Sequence, residues 1–204
     1  MAATHIEVLV EEPSMEWALR ALLPRIVGTV DFAIYPHQGK DALLRRLPAR
    51  LAGYRRWLPS DWFILIVVDR DDDNCTELKN RIEAIARAAG LRTRASHPAG
   101  QVRVLTRIAI EELESWYFGD WKAVREAYPR VSARVDVQAR YRVPDAISHT
   151  WEVFERLMNR AGYFTGGLRK IEAARQIAPR MDPARNTSRS FRILRQALVD
   201  ICAP

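Results

Sequence analysis

The 204-residue chain predicts an α/β fold, a mostly parallel sheet flanked by helices with a helical C-terminal extension. Three observations carry this. Strand-length apolar runs alternate with helical periodicity as far as residue 120, which calls for a parallel sheet with crossover helices. The run Phe63-Ile64-Leu65-Ile66-Val67-Val68 is apolar at every position, as in a strand buried on both faces. Beyond Asp120 only helical periodicity remains.

The elements follow in order. His5-Ile6-Glu7-Val8-Leu9-Val10 reads as the first strand, and Leu19, Leu22 and Leu23 predict a helix over 14–23 that ends near Pro24. A short strand over 30–35 and a turn at 36–39 come next. Leu43, Leu44, Leu47 and Leu51 predict a second helix, bent or restarted at Pro48. After the buried strand, Asn74 with Glu77 three residues on resembles a capping box, opening a helix that carries Leu78, Ile82 and Ile85 and closes at Gly90. Strands over 92–96 and 102–108 complete the expected sheet, and a helix start follows at Glu111-Glu112-Leu113-Glu114. Helices are expected at 151–158, 168–177 and 191–201. Irregular chain near 120–145 suggests a core of residues 1–120 and a basic helical part, 121–204, packed on it.

Composition is that of an ordinary globular protein, and no apolar run approaches a membrane span. The first four residues lead into a strand without a charged n-region or apolar h-region, so the chain reads as cytoplasmic. Cys75 and Cys202 have no partner spacing and read as free thiols. Net charge is +7, and its distribution is uneven: residues 1–120 hold 16 Lys/Arg against 17 Asp/Glu, while residues 121–204 hold 16 against 8. Nearly all the cations are Arg, whose planar fork matches phosphate oxygens, so a polyanionic partner fits as well as a solvated basic face does.

The chemistry concentrates at strand ends. The buried run leads straight into Asp69-Arg70-Asp71-Asp72-Asp73-Asn74, and the first strand ends in Glu11 and Glu12. Open α/β folds bind ligands at the carboxyl ends of their strands. Asp-x-Asp on extended chain sends two carboxylates to one side, because side chains alternate with period two. With a glutamate from a neighbouring strand they form a set of hard oxygen donors suited to Mg²⁺. A solvated turn or helix caps would use the same acids, and Asp72, Asp73 and Asn74 fit those duties.

Val10-Glu11-Glu12 and Val68-Asp69-Arg70-Asp71 resemble the TOPRIM pattern, one glutamate after strand one and an Asp-x-Asp after the third. TOPRIM domains occur in topoisomerases, bacterial primases, RNA-maturation nucleases and OLD-family nucleases, whose shared chemistry is Mg²⁺-dependent nucleotidyl transfer or phosphodiester cleavage. More closely, the chain resembles a family of small bacterial TOPRIM-like proteins, related to OLD-type nuclease domains and often encoded beside ABC- or SMC-type ATPases in anti-phage defence loci. Matching segments are Glu11 to Glu16, Gly39-Lys40, Val68 to Asp72, Ile110 to Asp120 and Ser188-Arg189-Ser190-Phe191. The resemblance implies Mg²⁺ (or Mn²⁺) held by Glu11, Asp69 and Asp71 as catalytic residues, with Glu11 alternatively a general acid/base. It further implies Glu16 as a second-metal ligand and Glu114 in the same cluster. One departure stands out: Glu12-Pro13 replaces the Gly-x pair common after the first glutamate.

The remaining candidates have plainer readings. Glu111 and Glu112 suit a helix start, Lys40 an exposed turn, and Trp116, Trp121 and Trp151 the core. His5, His37, His97 and His149 are scattered, and Gly166-Gly167 opens a helix without a full phosphate-binding loop. Arg156, Arg160, Arg169, Lys170, Arg175, Arg189, Arg192 and Arg195 are expected to form a basic face. The leading expectation is a Mg²⁺-dependent nuclease or nucleotidyl-transfer subunit acting on nucleic acid. The alternatives are a non-catalytic subunit of an ABC/SMC-type ATPase complex and a small-nucleotide phosphohydrolase.

Overall fold

The computed structural model describes residues 2–94, 96 and 102–203. Four strands, β1 (His5–Val10), β2 (Asp31–Pro36), β3 (Trp62–Asp69) and β4 (Val104–Ala109), form one sheet in the order β2-β1-β3-β4. Every pairing is parallel. Val8 pairs with Leu65, so the two most apolar runs are neighbours at the centre, as their composition requires.

The crossovers are α1 (Pro13–Val27), α2 (Lys40–Trp57) and α3 (Cys75–Ala88). Asn74 caps α3, its Oδ1 accepting from the Thr76 and Glu77 amides. α1 continues past Pro24 to Gly28, and α2 runs through Pro48 without the expected restart. In α2 the buried row Leu43, Leu44, Leu47, Leu51 and Tyr54 packs over β3, and that burial outweighs the hydrogen bond lost at the proline.

The strand expected over 92–96 is not present among the described residues. Ala95 and His97 lie outside them, and Thr93 makes only an isolated bridge to Val104. Thr93 instead closes a turn with Ser96, whose hydroxyl accepts from the Thr93 amide and donates to its carbonyl.

Alternate residues of each strand feed opposite faces. Leu9, Ile64, Ile66 and Val68 join α2 and α3 in one cluster. Ile6, Val8, Val10, Leu65 and Val67 join α1 and the C-terminal helices in the other, which reaches from Ile6 to Leu198. Those helices are α4 (Glu114–Gly119), α5 (Trp121–Ala127), α6 (Thr150–Arg160), α7 (Lys170–Ile177) and α8 (Arg189–Cys202). α7 packs along α1, and α8 packs on β4 and α1. Trp116 and Trp121 are buried as expected. No helix among the described residues is long and apolar enough to cross a membrane.

The chain before α8 is tied to α4. Asn186 Nδ2 donates to the Trp116 carbonyl at 2.8 Å, the Thr187 amide to the Gly119 carbonyl at 2.9 Å, and Trp116 Nε1 to Ser190 Oγ at 3.2 Å. Gly119 permits this approach: a Cβ there would stand 2.1 Å from Asn186 Oδ1 and 2.8 Å from the Ser188 nitrogen. Gly119→Ala should therefore cost about 2 kcal/mol by overpacking, read as a lower urea midpoint at unchanged slope. Gly53→Ala, in α2 with open space around it, should be neutral or gain up to about 1 kcal/mol. Equal midpoints for the two variants would contradict the close packing at Gly119.

Candidate functional site

β1 and β3 are adjacent, and the chain leaves them in opposite senses, β1 toward β2 and β3 toward β4. Such a switch opens a crevice at the carboxyl ends of the two strands. Glu11 follows β1 and Asp69 ends β3, both almost fully buried. Glu11 Oε2 accepts from the Asp69 amide at 3.2 Å, while Asp69 Oδ1 is buried with no hydrogen-bond partner among the described residues.

Asp71 does not continue the strand. β3 ends at Asp69, and Asp71 takes a left-handed φ of 48°, a conformation Asp tolerates better than most residues. Its amide donates to the Glu111 carbonyl at 2.9 Å, and its carboxylate meets Lys40 Nζ at 2.8 Å. Lys40 also holds Asp73 at 2.7 Å and donates to the Arg70 carbonyl at 3.0 Å, so its side chain is largely buried rather than exposed as expected.

A second group lies toward α1, α4 and α7. Glu114, at 1% exposure, has an unpartnered Oε2. Lys170, the first residue of α7, reaches to 3.8 Å from Glu12 and feels the charges of Glu114, Glu12, Asp69 and Glu112. It therefore leaves the basic face proposed for it, while Arg169 stays exposed and pairs with Glu172. Its ammonium lies 5.8 Å from the Trp151 ring centre, and Trp151 is half-buried rather than a core anchor. The buried Tyr117 hydroxyl, also unpartnered, lies within the same acidic field. Tyr117 and Glu114 share a helix face at i, i+3. Lys170 has no local sequence signal.

The other acids have separate partners. Glu16 is bound by Arg20 through Nε and Nη2 at 2.9 and 2.7 Å, one turn along α1. Glu111 has φ 57° and pairs with Arg70; its Oε2 accepts from the His149 amide. Glu112 accepts from the Trp151 amide at 2.8 Å, so these two acids cap α6 and not, as expected, the helix they precede. Glu12-Pro13 also gains a local reason. Glu12 is extended at φ −141° and needs no glycine, and Pro13 opens α1 with its φ preset.

Burial pushes the Glu11 carboxyl up to about 7, with Asp71 adding to the rise while the Asp69 amide and Lys40 oppose it. Burial, then Glu11, Glu12 and Glu114, hold Asp69 well above the carboxylate range. Glu114 is pushed up to about 7 by burial, against the pull of Lys170. Lys170 is raised: burial disfavours its charge, but Glu114, Glu12, Asp69 and Glu112 outweigh that. No three His, Cys, Asp or Glu side chains among the described residues are grouped so as to hold a metal ion. The donor chemistry nonetheless suits a hard cation, with two orphaned carboxylate oxygens within the cluster.

The chain matches the family model described as "Domain of unknown function (DUF4276)" over residues 10–199, and it belongs to that family. No curated protein matches it. A solved structure, the C-terminal region of the Xanthomonas campestris pv. campestris OLD protein, is similar at 14% identity with a TM-score of 0.53. The match covers 97% of this chain and 95% of that one, and it shows a shared fold.

Glu114 supplies a pH test. Its folded value of about 7 exceeds the ordinary 4.5, so the folded protein holds a proton that the unfolded chain releases between these values. The stability this contributes is complete below the ordinary value and is lost as pH rises through the folded one. In EDTA the melting temperature should fall between about pH 5 and about pH 8, and Glu114→Gln should remove part of the fall. A variant profile parallel to wild type would show that Glu114 ionises freely.

Proposed function

We propose that this DUF4276 member carries out Mg²⁺- or Mn²⁺-dependent cleavage or transfer at phosphodiesters of nucleic acid, with Glu11, Asp69 and Glu114 at its centre. The observation that carries the reading is the burial of Glu11 and Asp69 at the crevice between β1 and β3 and of Glu114 near enough to act on Asp69, with Asp69 Oδ1 and Glu114 Oε2 unpartnered among the described residues. Buried like charges persist where a cation offsets them. The TOPRIM and OLD-type resemblance supports the same chemistry, and Asp71, now paired with Lys40, would be available to the set as a further oxygen donor.

A bound divalent cation would supply charge offset at the scissile phosphate and a more acidic coordinated water. The chain's own residues would do the rest. Glu11, oriented by the Asp69 amide and titrating near neutral pH, would take the proton of the attacking group. Lys170, whose ammonium is held in the field of Glu114, Glu12 and Asp69, would face the phosphate. The Tyr117 hydroxyl would donate into the same charge.

A second reading has its own observation. Lys40 and Lys170 already offset Asp71, Asp73, Glu12 and Glu114, as a purely structural cluster in a subunit of an ATPase complex would require. A cleavage screen over single- and double-stranded DNA and RNA and small nucleotides, with Mg²⁺ or Mn²⁺, separates the two. The catalytic reading expects metal-dependent turnover, abolished by Asp69→Asn and lowered about 10²–10⁴-fold by Glu11→Gln, the range for loss of a general base. Turnover unchanged in both variants, or none on any substrate while an ATPase partner captures the protein, would favour the structural reading.

A further inference from the structure

α8 opens onto a groove of about 700 Å³ bordered by the segment that precedes it. Residues 183–199 contain four arginines, Arg185, Arg189, Arg192 and Arg195, and no Asp or Glu. All four line the groove. Arg185 is held by Asp120 at 2.8 and 2.9 Å. Among the described residues no carboxylate pairs with Arg189, Arg192 or Arg195, so three guanidinium groups face the groove with their charge unmet.

Beside it lies a smaller cavity of about 260 Å³, which shares Arg189 and Ile193 with the groove and reaches β4. Three of its lining residues have a buried polar atom with no partner: Thr106 Oγ1, Arg107 Nε and Asp145 Oδ1. Thr106 is itself 1% exposed. A hydroxyl, a donor and an acceptor that lie beneath the wall of a largely apolar cavity, with no partner among the described residues, would be matched by the edge of a planar heterocycle seated there, which presents both donors and acceptors.

We infer that this surface binds single-stranded nucleic acid, with phosphates on Arg189, Arg192 and Arg195 and one unpaired base in the cavity at β4. The inference rests on the proposed function in taking nucleic acid as the substrate, and adds where and in what form it binds. A duplex turns its Watson–Crick edges inward and keeps its bases stacked, so none enters the cavity without being flipped out. An acidic protein fits less well: among the described residues Ile193 is the only large apolar side chain lining the groove, whereas protein interfaces are centred on buried apolar and aromatic anchors.

The support beneath the groove links it to the acids. Asn186 and Ser190 are bonded to Trp116, two residues beyond Glu114 on the same short helix. Asp145 accepts from the Ser190 amide at 2.6 Å and sets the start of α8.

The test is fluorescence anisotropy in EDTA at low ionic strength, using labelled single-stranded DNA and RNA oligonucleotides and a matched duplex. Wild type should bind single strands more tightly than duplex. Arg189→Glu with Arg192→Glu should weaken single-strand binding at least tenfold and reduce the log–log salt slope by about 1.4, or about 0.7 per phosphate released. Arg156→Glu with Arg160→Glu, the same charge change on exposed positions of α6, should have little effect. Thr106→Val should reduce differences in affinity among homopolymers.

Equal losses in the two double variants would reduce the effect to net charge, and tighter binding to duplex would remove the base from the cavity; either overturns the inference. No binding by wild type would do the same. Because EDTA removes the metal, failure here is separate from failure of the acid site, which the cleavage screen reads on its own. Melting temperatures near wild type establish that each variant is folded.

Discussion

Carboxylates buried at the edge of a parallel sheet repel one another, and much of the surrounding structure works against that repulsion. The Asp69 amide donates to Glu11, Lys40 gathers Asp71 and Asp73, and Lys170 stands among Glu12, Asp69, Glu112 and Glu114. Lys170 reaches the site because α7 lies along α1, the helix that Glu12 begins. The C-terminal helices thus complete the electrostatics of a crevice made by the first strands. Even so, burial leaves Glu11 and Glu114 near neutral values, so the offset is partial. A site in that state gains from added positive charge, which is the physical basis for reading it as a cation site.

The basic excess of the C-terminal part resolves into two roles. Lys170 turns inward to the acids, while Arg189, Arg192 and Arg195 face an open groove on α8. α4 joins them, with Glu114 at one end and Trp116 and Gly119 holding the segment before α8.

Much of the central architecture was legible because period and composition are local. β1 and β3 pair as their apolar runs require, and Glu11 and Asp69 fall where those runs stop. Asp71 departs from the extended geometry expected of it because period-two reasoning holds only while the chain stays extended, and its φ of 48° ends that at once, yet its charge still acts on Glu11. Lys170 was assigned to a solvent face because helical position alone does not say which neighbour lies across, and its acidic partners are far away in sequence. Glu111 and Glu112 cap a helix almost 40 residues onward, which local spacing does not reveal. Pro48 and the turn at Thr93 show the two ways a local signal yields, to packing against the sheet in one case and to side-chain hydrogen bonding in the other.

The most direct test of the central claim is isothermal titration of the metal-free protein with Mn²⁺, comparing wild type with Asp69→Asn. Asp69 is buried, ends β3 and sits among the acids, so neutralising it removes the proposed ligand at the centre of the cluster. The account predicts saturable binding to wild type, a matching rise in melting temperature by mass action, and loss of both in the variant. Saturable binding that survives Asp69→Asn unchanged, or none in wild type, would contradict it.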